Sequence, residues 1–162
     1  DFPFPGYELI KKNEDARDTE IAFIAEKIGQ SQILLNEIVD AEGARPGYFE
    51  IKGHKLYAHA PSAFRITLPE ASRSIDLMYS IDERAKGQHF GVCFAVSAIK
   101  ETADSEIFND CILPADQRTT RQARLQIEEL EGDAELEFEI SCMTECSYAW
   151  TSWDLIYIDL AK

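Results

Sequence analysis

The chain has 162 residues, 45% of them hydrophobic, which is enough for one well-buried core and makes one domain with an appendage the expected organisation. Thirty acidic residues against sixteen basic ones leave a formal charge of −14, a field that repels phosphate backbones and anionic lipid surfaces, so nucleic acid is a poor partner. No run approaches the roughly 18 consecutive apolar residues of a membrane-spanning helix.

In chain order, Asp1 to Tyr7 can only be extended, because Pro3 and Pro5 each fix φ and push the preceding residue out of the helical region. The chain starts at Asp1 with no basic segment and apolar core behind it, and is read as a piece of a longer protein. Asp18 offers a helix cap ahead of Thr19-Glu20, and Ile21, Ile24, Ile28, Ser31, Leu35 and Ile38 then recur at spacings of three and four. The spacing predicts an amphipathic helix over 19–42, ending at Gly43. Two readings of its stripe stay open. It is a coiled-coil seam joining copies into a homo-oligomer, or it is a helix laid on a sheet, a reading that Ile33, Leu34 and Val39 favour by widening the apolar face.

After Gly43 the hydrophobic period changes to two. This predicts a linker and helix over 1–46 and a mainly β domain over 47–162. Strands are expected around Tyr48-Phe49-Glu50-Ile51, Lys55 to His59, Phe64 to Leu68, Ile75 to Ile81, Phe90 to Ala98, Glu106 to Leu113, Arg121 to Leu130, Ala134 to Cys142 and Leu155 to Ile158. Arg121–Leu130 and Ala134–Cys142 read as a hairpin around Gly132-Asp133, with Arg121 and Arg124 facing Glu135, Glu137 and Glu139. The polar run Asp82 to Gly87 reads as a projecting loop. About nine short strands with turn signals between them point to an antiparallel β-sandwich preceded by one helix.

Four features in order carry a resemblance: the His59-Ala60-Pro61-Ser62 turn, the Ile81-Asp82 step, Gly91-Val92-Cys93-Phe94-Ala95-Val96, and Trp150 or Trp153 before Leu155-Ile156-Tyr157-Ile158. Over about 47–160 the chain resembles the NPCBM-like jelly-roll carbohydrate-binding modules, non-catalytic attachments of glycoside hydrolases and bacterial polysaccharide enzymes. It departs from them at Cys142 to Ser147, where many relatives carry a glycine- and aspartate-rich loop. The resemblance implies a jelly-roll fold and a module that holds a bacterial surface polysaccharide for an attached glycosyltransferase, hydrolase or exporter.

Chemistry-bearing motifs are missing from the sequence: no phosphate-cradling glycine loop, no Gly-x-Ser-x-Gly, no His-Glu-x-x-His and no calcium-loop spacing. No catalytic residue, metal site or cofactor is therefore expected. Cys93, Cys111, Cys142 and Cys146 lack the paired spacing of a zinc site, and are expected as free thiols in a reducing compartment in preference to bridges; the expected location is the cytoplasm, with secretion the alternative if the longer protein carries a signal.

Sugars present apolar C–H faces ringed by hydroxyls, so a glycan site wants flat aromatic rings with planar polar neighbours. Tyr148, Trp150 and Trp153 supply the rings. The two tryptophans are three apart and cannot share one face of a regular strand, so one is core and the other, or Tyr148, is open. Tyr57 and His59 share a face of their strand, and Arg65 lies on the wet face of the next; together these six are the candidate carbohydrate-binding residues, suited to an acidic sugar. Taken singly, a solvated role for Tyr57 and Arg65, a turn-bracing role for His59 and core packing for the rings are the plain alternatives. The competing function is an assembly module without a sugar ligand, joined through the helix.

Overall fold

The computed structural model of the protein describes residues 7–11, 38–43, 49–52, 55–101, 103–128, 130 and 134–160. They form eleven strands: β1 (Tyr7–Lys11), β2 (Ile38–Gly43), β3 (Phe49–Lys52), β4 (Lys55–His59), β5 (Ser62–Thr67), β6 (Ser72–Ile81), β7 (Val92–Ile99), β8 (Ser105–Ile112), β9 (Thr120–Gln126), β10 (Glu135–Cys142) and β11 (Trp150–Leu160). A six-stranded sheet runs β1-β9-β6-β11-β4-β3 and a five-stranded sheet runs β2-β5-β10-β7-β8. All pairings are antiparallel.

Alternation puts one face of each sheet into a shared core. Leu77, Tyr79 and Trp153 come from the six-stranded sheet and Phe64, Phe94, Phe138 and Ile140 from the five-stranded one, all at 3% exposure or less. The expected alternation of Leu136, Phe138 and Ile140 with Glu135, Glu137 and Glu139 holds, as does the inward row Ile75, Leu77, Tyr79 and Ile81. The other face of β6 and β11 is not simply wet. Met78, Leu155 and Tyr157 form a second buried cluster there, beside the buried Asp76 and Gln122.

Four expectations are corrected. Residues 38–42 of the predicted 19–42 helix lie in strand β2, paired with β5; residues 19–37 of that helix lie outside the described residues. Ladder hydrogen bonds at a sheet edge here outweigh local helical spacing, a common tertiary override of propensity. With β1 on β9, the 1–46 segment thus contributes a strand to each sheet. Second, β9 and β10 are not a hairpin, because the connection between them crosses from one sheet to the other. Arg124 instead pairs with Asp76 (2.8 Å), Arg121 with Asp110 and Asp116 (2.9 Å each), and Glu137 with Arg65 (3.0 Å). Third, Phe90 stands outside the inward row, 45% exposed ahead of Gly91, whose φ of +93° turns the chain into β7. A Cβ at Gly91 would lie 2.6 Å from Met143 Sδ, so the position excludes larger residues on both counts.

Fourth, no described cysteine is free: Cys93 bridges Cys111 and Cys142 bridges Cys146. Cys93 and Cys111 are direct cross-strand partners on β7 and β8, with Cα atoms 4.0 Å apart. Both sit on the outward side, alternating with the inward Val92, Phe94 and Ile112, so neither takes the core position expected of a small apolar thiol. The bridge closes a loop of sequence separation 18. Loop-closure entropy makes that worth about 3 kcal/mol, so full reduction is expected to lower the melting temperature by roughly 6–12 °C. An unchanged melt in reductant, with thiols verified free by titration, would contradict the bridge.

Candidate functional site

A concave site of about 450 Å³ opens where the outer face of β3, β4 and β11 meets the loop after β6. Its walls are Glu50 and Lys52 from β3, Tyr57 and Ala58 from β4, Asp82 and Arg84 from the loop, and Trp150 and Thr151 from β11. The strand registers explain the gathering. Glu50 lies opposite Tyr57, and Tyr57 opposite Ser152, so these side chains form one row on the outward side of the sheet. Trp150 lies opposite His59 one step further along, at the end where the loops begin.

The loop wall is built by local hydrogen bonds. Asp82 caps a 3-10 turn at Glu83–Ala85 by accepting the Arg84 N–H at 2.9 Å. The same carboxylate accepts Arg84 Nε at 3.0 Å and Nη2 at 3.2 Å, a two-point clamp. The hydrogen bonds from Arg84 hold the Asp82 carboxyl below its ordinary range, burial opposing them, and Asp82 in turn raises the guanidinium. So clamped, Arg84 reaches over the Trp150 ring, 5.8 Å from its centroid. Across the pocket Lys52 stands 3.7 Å from Glu50. Two cations and two carboxylates therefore line the site among the described residues, and each cation has a carboxylate beside it.

Further along the chain, the loop is braced by His89, only 2% exposed, whose Nδ1 accepts the Gly91 N–H at 3.1 Å. Burial pushes its pKa below the ordinary histidine value, against the pull of Asp116. Below the pocket a polar ladder ties the strands: Thr151 Oγ1 donates to Ala58 O (2.6 Å), Ser152 Oγ to Asp154 Oδ1 (2.5 Å), and Lys55 stands 3.8 Å from Asp154.

Of the six sequence-predicted residues, the structure brings three together. Tyr57, 38% exposed, and the half-buried Trp150 line the pocket. His59 meets Trp150 edge-on at 5.0 Å between ring centroids, while its Nδ1 lies 2.7 Å from Ala60 O, which makes it a buried brace behind the ring. Trp153 is core, 1% exposed, on the opposite face of β11. Tyr148 is half exposed in the β10–β11 loop, at φ +58°, and lies outside the pocket lining. Arg65 belongs to the other sheet, on its outward side with Glu137, so it is not part of this pocket.

Sequence reasoning missed Glu50, Lys52, Asp82, Arg84 and Thr151 as site residues. The signals were present for four of them: the Asp82 loop was expected to project, and the alternation of Glu50 and Lys52 with Phe49 and Ile51 puts them on Tyr57's face once β3 and β4 pair.

No protein-family model and no curated protein matches this chain. Among solved structures it is similar to "CBM51 from Clostridium perfringens GH95 in complex with methyl-galactose", with TM-score 0.58 and 14% identity, covering 76% of this chain and 94% of that one. It is also similar to a structure of "CBM51-2 in complex with GlcNAc and INT domains from Clostridium perfringens ZmpB", with TM-score 0.59 and 12% identity, covering 77% of this chain and 30% of that one. At such identities the likeness shows the fold alone, a sandwich of two antiparallel sheets like that of these two modules.

Proposed function

We propose that the chain is a non-catalytic carbohydrate-binding module of the NPCBM-like family, which holds a glycan in the pocket between Tyr57 and Trp150 for an attached bacterial enzyme or exporter. The observation that carries this reading is the pocket's composition: two aromatic rings, one more than a third exposed and one half-buried, ringed by Glu50, Lys52, Asp82 and Arg84. Rings take the C–H face of a pyranose, and planar charged groups accept and donate to paired hydroxyls. A sandwich shared with modules solved on methyl-galactose and GlcNAc makes a hexose the ligand to try first. The two disulfides support work in an oxidising compartment, the secreted alternative to the cytoplasm.

Affinity is expected to be modest, about millimolar for a monosaccharide, because a sugar exchanges hydrogen bonds with water for hydrogen bonds with protein at little net gain. In calorimetric titrations with galactose-, GlcNAc- and glucose-based oligosaccharides, the Tyr57→Ala and Trp150→Ala variants should lose binding at least tenfold. The exposed Tyr57 should be removable with little change in melting temperature. Absence of saturable binding by the intact protein to all three sugar series would overturn the reading.

A further inference from the structure

We propose that Arg84 covers the sugar-facing side of Trp150 in the empty pocket and must swing aside for a glycan to bind, so that this one side chain sets both affinity and charge preference. The inference rests on the glycan-binding reading of the pocket.

The guanidinium lies over the indole at 5.8 Å from the ring centroid, and the Arg84 side chain is itself 81% exposed, so Arg84 sits between the ring and solvent. It is held there by two bonds to Asp82, whose side chain is 25% exposed, and by the 3-10 turn that aims Arg84 into the pocket. A pyranose and a guanidinium both pack flat on an aromatic face, so they compete for the same surface. Displacing Arg84 does two things together. It bares the ring face on that side, and it releases the two side-chain bonds on the Asp82 carboxylate, so that Oδ2, and Oδ1 beside its cap bond to the Arg84 N–H, can accept from sugar hydroxyls in the pocket. The pocket exposed in this way holds Asp82 and Glu50 with Lys52 as the remaining cation, which disfavours carboxylated sugars and suits neutral ones.

A covered site binds with an apparent affinity reduced by the fraction of molecules in which it is open. Removing the cover at Arg84→Ala is therefore expected to tighten binding of a neutral oligosaccharide about three- to tenfold. Salt loosens an exposed ion pair, so the intact protein should bind two- to threefold more tightly at about 0.5 M than at about 0.02 M NaCl, and R84A should lose that dependence. Acrylamide quenching reads the cover without any ligand: with Trp153 buried, Trp150 is the accessible fluorophore, and its quenching should rise in R84A. Arg84→Lys keeps the charge and loses the planar fork, so it should behave as R84A does.

The test is titration of the wild type, R84A and R84K with the galactose-, GlcNAc- and glucose-based series, alongside quenching. Tighter binding with higher quenching supports the cover, and so does binding by R84A where the wild type shows none. Weaker binding by R84A, or unchanged quenching, shows that Arg84 is a ligand contact or a bystander; the cover is then overturned while the glycan reading stands. If neither wild type nor R84A binds any of the three series, the glycan reading fails and the cover falls with it.

Discussion

Replacing Trp153 with alanine is expected to destabilise the protein by about 3–5 kcal/mol, the range for emptying a large aromatic site in a packed core. Trp153 is 1% exposed and touches rings from both sheets. Phe138 lies at 5.4 Å and Phe94 at 5.3 Å between centroids, both close to perpendicular to the indole, with Tyr79 at 6.0 Å and Phe64 at 6.4 Å. Edge-to-face pairs add about 0.5–1.5 kcal/mol each beyond burial, and the indole is where the five-stranded sheet meets the six-stranded one. Urea unfolding should show the loss as a lower midpoint at unchanged slope, with Trp153→Phe recovering part of it. A loss below about 1 kcal/mol would mean that the two sheets do not meet on this ring.

The second large effect is expected at Asp110. Its carboxylate receives Arg121 Nη1 at 2.9 and 3.0 Å and the Tyr79 hydroxyl at 2.6 Å, while Arg121 also reaches Cys111 O and Asp116. The Arg121 side chain is only 7% exposed. Burial works against its charge, but Asp110 and Asp116 outweigh this and raise its pKa. Asp110→Ala leaves a buried cation with a weaker set of partners and should cost about 3–5 kcal/mol, whereas the double change Asp110→Leu with Arg121→Met should restore much of it. If the double variant is as unstable as the single, the cost lies in packing around the network and not in the stranded charge.

Much of the fold was legible because alternation is a local signal. Leu136-Phe138-Ile140, Ile75 to Ile81 and the 92–98 row each announce a strand with one apolar face. What alternation does not carry is partner identity. β9 and β10 follow each other in sequence and each reads as a strand, yet they join different sheets, and the expected Arg–Glu ladder between them is replaced by Arg65–Glu137 and Arg124–Asp76. The Cys93–Cys111 bridge was hidden for the same reason. A separation of 18 residues says nothing until the β7–β8 register is known.

The candidate site was half legible. Composition identified the rings Tyr57 and Trp150, and the face-sharing rule correctly separated Trp150 from Trp153, but composition alone drew in Arg65, which lies on the other sheet. Glu50, Asp82 and Arg84 look like ordinary surface charge in a chain of net charge −14. Only the pairing of β3 on β4 on β11, with the 82–84 loop beside them, gives those charges a common address. The helical spacing over 19–42 misled at its end, where strand pairing fixes residues 38–43.

The strand order also constrains how the molecule comes into being. β11, the last of the eleven strands among the described residues, is the inner strand that joins β6 to β4. During synthesis every earlier strand leaves the ribosome while the middle of the six-stranded sheet is still missing, with the inner edges of β4 and β6 open. The β3–β4, β2–β5 and β7–β8 pairs have both strands close in the chain, while the other pairings wait on distant partners, the situation in which folding is slow and exposed edges invite aggregation. Arrival of β11 inserts Trp153 into the core and sets Trp150 beside the pocket in one event, so the nascent chain gains its fold and its candidate site together.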